Sequence, residues 1–240
     1  MGSIKFRKKE GVRGGGFKLR RSLSIDWNVT TPSSEEDIVG TEGEYVRAIT
    51  FGGARKSTIA LAGTEFQYFR KNHSDTLATS NNKRIIDGPF FGPSSTTNKS
   101  IFNNLSSTNI QNLISHGAWA PDLQQEENLI LRLGDLTPDT VYEIRLIMAD
   151  FRNPKRKLSI APNNICLTLG EVPNLLIGRF IAPDPIVEIK LNSDEGKPCL
   201  NAYVVRNLDY KPRSTLSEVR ILDKNSSSQQ IGELLPGVNR

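Results

Sequence analysis

Residues 128–152 constrain this chain more than any other stretch. Leu129, Leu131 and Leu133 alternate with Ile130, Arg132 and Gly134, the period-two pattern of a strand with one buried face. Asp135 to Asp139 follows and carries Thr137-Pro138-Asp139. Proline fixes φ there and aspartate can bond its own backbone, so a turn is the low-cost conformation. A second strand is predicted over Val141 to Met148. Tyr142, Ile144, Leu146 and Met148 share one face, while Val141, Glu143, Arg145 and Ile147 make the other, partly polar one. Asp150 and Arg152 close the unit where the strand meets a loop.

The rest of the chain reads as short strands separated by turn residues. An edge strand is expected at Ser24 to Asn28, with Trp27 docking on the core, and further strands at Tyr45–Phe51 and Thr58–Phe69. Residues 30–43 read as an acidic loop and residues 71–93 as polar and irregular except around Arg84-Ile85-Ile86. One helix is expected over Ser107 to His116, where Ile110, Leu113 and Ile114 recur at helical spacing and Gly117 stops it. Strands then follow at Lys157–Ile160, Ile165–Leu169, Leu175–Ile181, Ile186–Leu191 and Leu200–Arg206, with one more apolar run at Glu218–Leu222. Strand after strand at this spacing argues for a sandwich rather than alternating β and α units.

Several of these segments carry a family resemblance. Leu136-Thr137-Pro138, then Thr140 and Tyr142, an alternating strand and Asp150-Phe151-Arg152 resemble the LTPGxTYxVxLxxxDxR stretch of a jelly-roll β-sandwich domain. That domain occurs in secreted and surface proteins of bacteria such as planctomycetes and is similar in fold to galactose-binding-like modules. Glu44 to Gly53 resembles its opening strand and Ser57 to Phe69 the segment after it. Ile177 to Asn207, with Gly178, Phe180, Ala182 and Leu200-Asn201-Ala202-Tyr203, resembles its closing pair. The likeness covers Leu23 to Leu208 and departs from the pattern in two places. Asp139 stands where glycine is usual, and no sorting tail follows. It implies an all-β jelly-roll fold of two antiparallel sheets with one short helix, and an extracellular or cell-surface location.

Charge is unevenly placed. The formal charge of +5 conceals residues 1–21, where Lys5, Arg7, Lys8, Lys9, Arg13, Lys18, Arg20 and Arg21 face a single acid, Glu10, so that the remainder is slightly acidic. A glycine-interrupted basic segment cannot bury enough apolar surface to offset its ordering entropy, and residues 1–22 are expected to be a disordered arm. Such an arm suits polyanions: nucleic acid, anionic polysaccharide or lipid head groups, all held by salt-sensitive contacts. A plain solvated leader explains the same composition. The charged start has no apolar stretch behind it and is not a complete secretory signal. No run approaches the length of a membrane span.

Chemistry-bearing patterns are sparse. There is no HExxH, GxSxG or phosphate-binding loop, and the two histidines, His73 and His116, lack partner signatures. Cys166 and Cys199 are too few for a cysteine metal site. A bridge between them is conceivable, and two buried free thiols explain them better. No cofactor is expected, and metal binding stays open. Asp150 and Arg152 form the most distinctive polar pair: either a strand-end ion pair or a ligand contact at the sandwich rim. Trp119, Tyr68, Phe90 and Phe91 are candidate aromatic platforms for a sugar, or core residues.

These readings converge on a basic arm (1–22), a jelly-roll β-sandwich (23–208) and a polar C-terminal extension (209–240). The expected function is a non-catalytic surface or extracellular module binding a glycan or another macromolecule, with Asp150, Arg152, Trp119 and Tyr68 as ligand contacts. The alternative is a virion or assembly protein whose arm contacts nucleic acid.

Overall fold

The computed structural model describes residues 22–52, 59–69, 74–89, 107–123, 127–150, 156–169, 173–194 and 197–209. The expected strand at Glu218–Leu222 and the basic arm lie outside them. In chain order the first strands are β1 (Asp26–Thr30), β2 (Glu44–Thr50), β3 (Ile59–Leu61), β4 (Thr64–Tyr68), β5 (Thr76–Thr79), β6 (Ile86–Pro89) and β7 (His116–Trp119). Then come β8 (Leu129–Leu133), β9 (Val141–Met148), β10 (Lys157–Ala161), β11 (Ile165–Thr168), β12 (Asn174–Ile181), β13 (Val187–Ser193), β14 (Cys199–Leu200) and β15 (Ala202–Asn207). Two helices are described, α1 (Glu35–Val39) and α2 (Thr108–Ile114).

Eight strands make the sandwich. β2, β15, β9 and β12 lie side by side in one sheet, and β8, β13, β10 and β11 in the other. Followed along the chain, the path changes sheet at every step except from β10 to β11, so strands remote in sequence become neighbours. This is the jelly-roll order, two interleaved Greek keys. β1 extends the first sheet beyond β12, β4 and β3 extend it beyond β2, and β5 extends the second beyond β8. β14, β7 and β6 form a separate three-stranded sheet.

The alternation read from the sequence sets which residues enter the core. Tyr142, Ile144, Leu146 and Met148 of β9 point between the sheets, where they meet Leu129, Leu131 and Leu133 of β8 and Val187, Ile189 and Leu191 of β13. Each such side chain withdrawn from water contributes about 1.5–3 kcal/mol before entropy is counted. Trp27 docks on this core as expected. Its ring lies over Gly178, where an added Cβ would sit 2.5 Å from it, so only glycine admits the indole there.

The outer face of the larger sheet is buried too. Ala48, Ile147, Leu175 and Val204 are covered by Ile38 and Val39 of α1, by Ile110, Leu113 and Ile114 of α2, and by Leu61 and Phe66. α1 was not expected; residues 30–43 read as a loop. Ser34 and Asp37 nevertheless form a reciprocal capping box at its start, a pattern visible in the sequence. Two arginines hold this cover down. Arg145 donates to the carbonyl of Asp37 and pairs with Glu143 at 2.7 Å. Arg206 donates to the carbonyls of Glu42 at 2.5 Å, Gly43 at 2.8 Å and Val39 at 3.4 Å. Buried Glu143 also receives Arg179 at 3.0 Å.

Other expectations need correction. The strand over Thr58–Phe69 is a hairpin, β3 and β4, because Ala62 (φ 44°) and Gly63 (φ 77°) turn the chain back. β5 and β7 lie in stretches that showed no strand pattern, and both are fixed by pairing with distant partners. Both cysteines are free, yet only Cys199 is buried; Cys166 is exposed on the edge strand β11. Asp139, where the resembling family has glycine, has φ 61°. Aspartate is among the few residues that tolerate this left-handed conformation.

Candidate functional site

The turn read first in the sequence positions a groove. From the 135–139 turn, Leu136 N–H donates to the Pro185 carbonyl at 3.0 Å and Asp139 N–H to that of Ala182 at 2.8 Å. Ala182 N–H donates back to Thr140 at 3.0 Å. These bonds pin the β12–β13 loop, whose Pro183-Asp184-Pro185-Ile186 sequence is further stiffened by two proline rings. Beside it stands the β10–β11 turn. The Trp27 indole donates to the Pro162 carbonyl at 3.3 Å, and the Asn163 amide donates to Ile25 at 2.6 Å. Ile25 and Trp27 thereby tie that turn to the start of β1.

Between these turns lies a shallow open groove of about 360 Å³. Leu23, Pro162, Pro183, Ile186 and Val187 line it, together with Asp184, Glu188 and Lys190. Ile186 is 59% exposed, the most exposed large apolar side chain among the described residues. Glu188 accepts from Arg132 at 2.6 Å, and both side chains remain well exposed. The site is thus an apolar floor with a charged rim, on a backbone already held in place.

The residues expected to contact ligand lie elsewhere. Asp150 is fully buried and accepts from Arg156 Nη1 at 2.6 Å; the same nitrogen donates to the Lys197 carbonyl at 3.0 Å. The ion pair at the strand end therefore exists with Arg156, while Arg152 lies outside the described residues. Trp119 is half-buried and packs on the core from β7, opposite Cys199 and Ile86. Tyr68 is half-buried at the end of β4, opposite Thr50. All three sit where β9 ends, whereas the groove lies where β9 begins. Eight residues of strand separate these poles, about 25 Å. Phe90, Phe91, His73 and all eight arm residues (Lys5, Arg7, Lys8, Lys9, Arg13, Lys18, Arg20 and Arg21) fall outside the described residues.

Other buried charges serve the framework. Asp75 forms an ion pair with Arg47 at 2.8 Å and accepts hydrogen bonds from the Tyr203 hydroxyl at 2.7 Å and from Gly134 N–H at 2.8 Å. Burial, then the Asp75 charge, pushes the Tyr203 hydroxyl well above the usual tyrosine range. Asn201 is similarly committed. Its amide oxygen accepts from Ala149 N–H at 2.7 Å, and its nitrogen donates to Ile114 at 2.9 Å and His116 at 2.7 Å. Among the described residues no cluster of His, Cys, Asp and Glu could hold a metal ion.

Sequence reasoning missed the groove residues, although one signal was there. Val187, Ile189 and Leu191 alternate inward, which leaves Ile186 an apolar residue out of phase.

No family model matches the chain, and no curated protein does. Among solved structures, the chain is similar to a calcium-binding mutant of Bacteroides uniformis β-glucuronidase 2, at 17% identity and a TM-score of 0.42. It is also similar to B. uniformis β-glucuronidase, at 16% identity and a TM-score of 0.38. Each match covers 67% of this chain and 18% of the other. No helix among the described residues is long and apolar enough to cross a membrane.

Proposed function

We propose that this chain is a non-catalytic binding module of extracellular or cell-surface type. Its ligand, a glycan or another macromolecule, lies across the groove between the β10–β11 and β12–β13 turns. One observation carries the reading: Ile186 stands 59% exposed on a backbone pinned from the neighbouring turn. An apolar knob on a rigid loop loses little entropy on binding. A sugar ring presents a C–H face that suits Ile186, Pro162 and Pro183, and hydroxyls that suit Asp184, Glu188 and Lys190. The open groove argues for binding rather than turnover, because carboxylate acid–base work favours a site that excludes water. Glu188, moreover, is engaged by Arg132.

The test is binding of the full chain and of Ile186→Asp to neutral polysaccharides and to DNA, at low and high salt. Salt-resistant binding to a neutral glycan, lost in Ile186→Asp at unchanged melting temperature, supports the reading. Binding to polyanions alone, abolished by salt and indifferent to Ile186, overturns it and leaves the sandwich as a scaffold.

A further inference from the structure

We infer that two copies of this chain join through β1, edge to edge, across a two-fold axis at Asn28. β1 ends the larger sheet: all five of its residues pair with β12, and no described strand lies on its other side. Alternate main-chain N–H and C=O groups of such a strand point outward, ready to pair with another chain. Four of its five residues are exposed. The other outer edges of the two sandwich sheets are shorter, three residues in β3 and four each in β5 and β11. β1 also lacks the proline, lysine or bulge that usually blunts an edge.

What selects a second copy is the sequence Asp26-Trp27-Asn28-Val29-Thr30 itself. Antiparallel pairing about Asn28 sets Asp26 opposite Thr30, Trp27 opposite Val29, and Asn28 opposite its own copy. Trp27 and Val29 lie on the inner face, in register with Gly178 and Leu176, and Asp26, Asn28 and Thr30 on the outer one. Each apolar residue thus meets an apolar one, Asp26 meets a hydroxyl that donates to it, and no charge faces its like. Val29, 40% exposed at this rim, is covered by the second copy's Trp27. The groove is lined by Leu23, shortly before β1. The two-fold therefore sends the two grooves toward opposite ends of the joined edge.

Sedimentation equilibrium of the full chain up to about 1 mM tests this, a range that detects even a millimolar contact. The mass should climb toward twice the monomer's only as concentration rises, because a five-residue join is a small interface and a weak one. Asn28→Asp sets two new carboxylates directly opposite each other, beside both copies of Asp26, and should weaken association about fivefold. Mixing it with Asn28→Lys should recover the lost affinity, since opposite charges then face each other. Both variants should keep the wild-type melting temperature when dilute, because Asn28 is exposed on the outer face. Hydrogen exchange reports the place: the outward amides of β1 should slow as concentration rises. A chain that stays monomeric at about 1 mM overturns the proposal. So does a dimer indifferent to both variants, which would put association on another surface. A mixture no tighter than Asn28→Asp alone also overturns it, because Asn28 would then not face its own copy.

Discussion

Asp75→Ala should destabilise the sandwich strongly. Asp75, just before β5, joins Arg47 of β2 and Tyr203 of β15 to Gly134 at the end of β8, and so bolts one sheet to the other. Arg47 also donates to the Gly134 carbonyl at 2.7 Å. Removing the carboxylate strands a guanidinium that is only 16% exposed, a defect of about 3–5 kcal/mol when burial is complete. Partial exposure places Arg47 at the lower end. The Tyr203 hydroxyl and Gly134 N–H lose their acceptor as well, at about 1–3 kcal/mol each if left unsatisfied and not fully additive. A total near 4 kcal/mol follows. With a urea m-value of about 2 kcal/mol/M, the midpoint should drop by about 2 M. The paired substitution Arg47→Met with Asp75→Leu removes both charges and should be more stable than Asp75→Ala, because neither charge is left alone. Urea melts followed by fluorescence and circular dichroism measure both. A midpoint shift below about 0.5 M for Asp75→Ala, or a double variant less stable than the single one, would refute the reasoning.

Asn201→Ala should cost about 2–4 kcal/mol, since Ala149 N–H and the Ile114 and His116 carbonyls all lose a buried partner; a cost under 1 kcal/mol in urea melts would contradict this. Asp139→Gly should leave stability nearly unchanged, whereas Asp139→Val should lose about 1–2 kcal/mol to left-handed strain, read from thermal midpoints. Asp87 reaches the surface, but crowding around its carboxyl pushes it up to about 6, against the pull of a bond from Gly52 N–H. The folded state therefore keeps this proton at higher pH than the unfolded chain. Its contribution is full below the ordinary aspartate value and lost as pH rises through about 6. A carboxyl-carbon NMR titration should show that midpoint, and Asp87→Asn should flatten the stability slope across this window; a midpoint in the ordinary aspartate range would refute it.

The strands that could be read directly are those whose state is decided by their own pattern. β8 and β13 in one sheet and β9 in the other alternate because the two faces of each sheet meet different surroundings, and the turn between β8 and β9 carries its own chemistry in Pro138 and Asp139. β5 and β7 are strands for a different reason. Thr76-Leu77-Ala78-Thr79 and His116-Gly117-Ala118-Trp119 have little preference of their own, and pairing with β8, and with β6 and β14, imposes it. Asp150 pairs with Arg156, six residues along, a partner its spacing did not suggest; the expected partner Arg152 lies outside the described residues. The groove was the least legible part. It is made by Leu23, Pro162 and residues 183–190, three segments that only the jelly-roll path brings together. Ile186 alone betrayed it, by falling out of phase.

Arg145 and Arg206 latch α1 and its following loop to the sheet mainly through main-chain carbonyls. Guanidinium stays protonated across the whole biological range, and a carbonyl has no proton to gain. Acid that discharges the carboxylates of the interior would leave this latch intact. Acid reaches the cover by another route. The cap of α1 depends on the Asp37 carboxylate, which bonds from Ser33 and Ser34 hold below the usual aspartate range. Its contribution is present above the ordinary aspartate value and lost as pH falls through the lowered one.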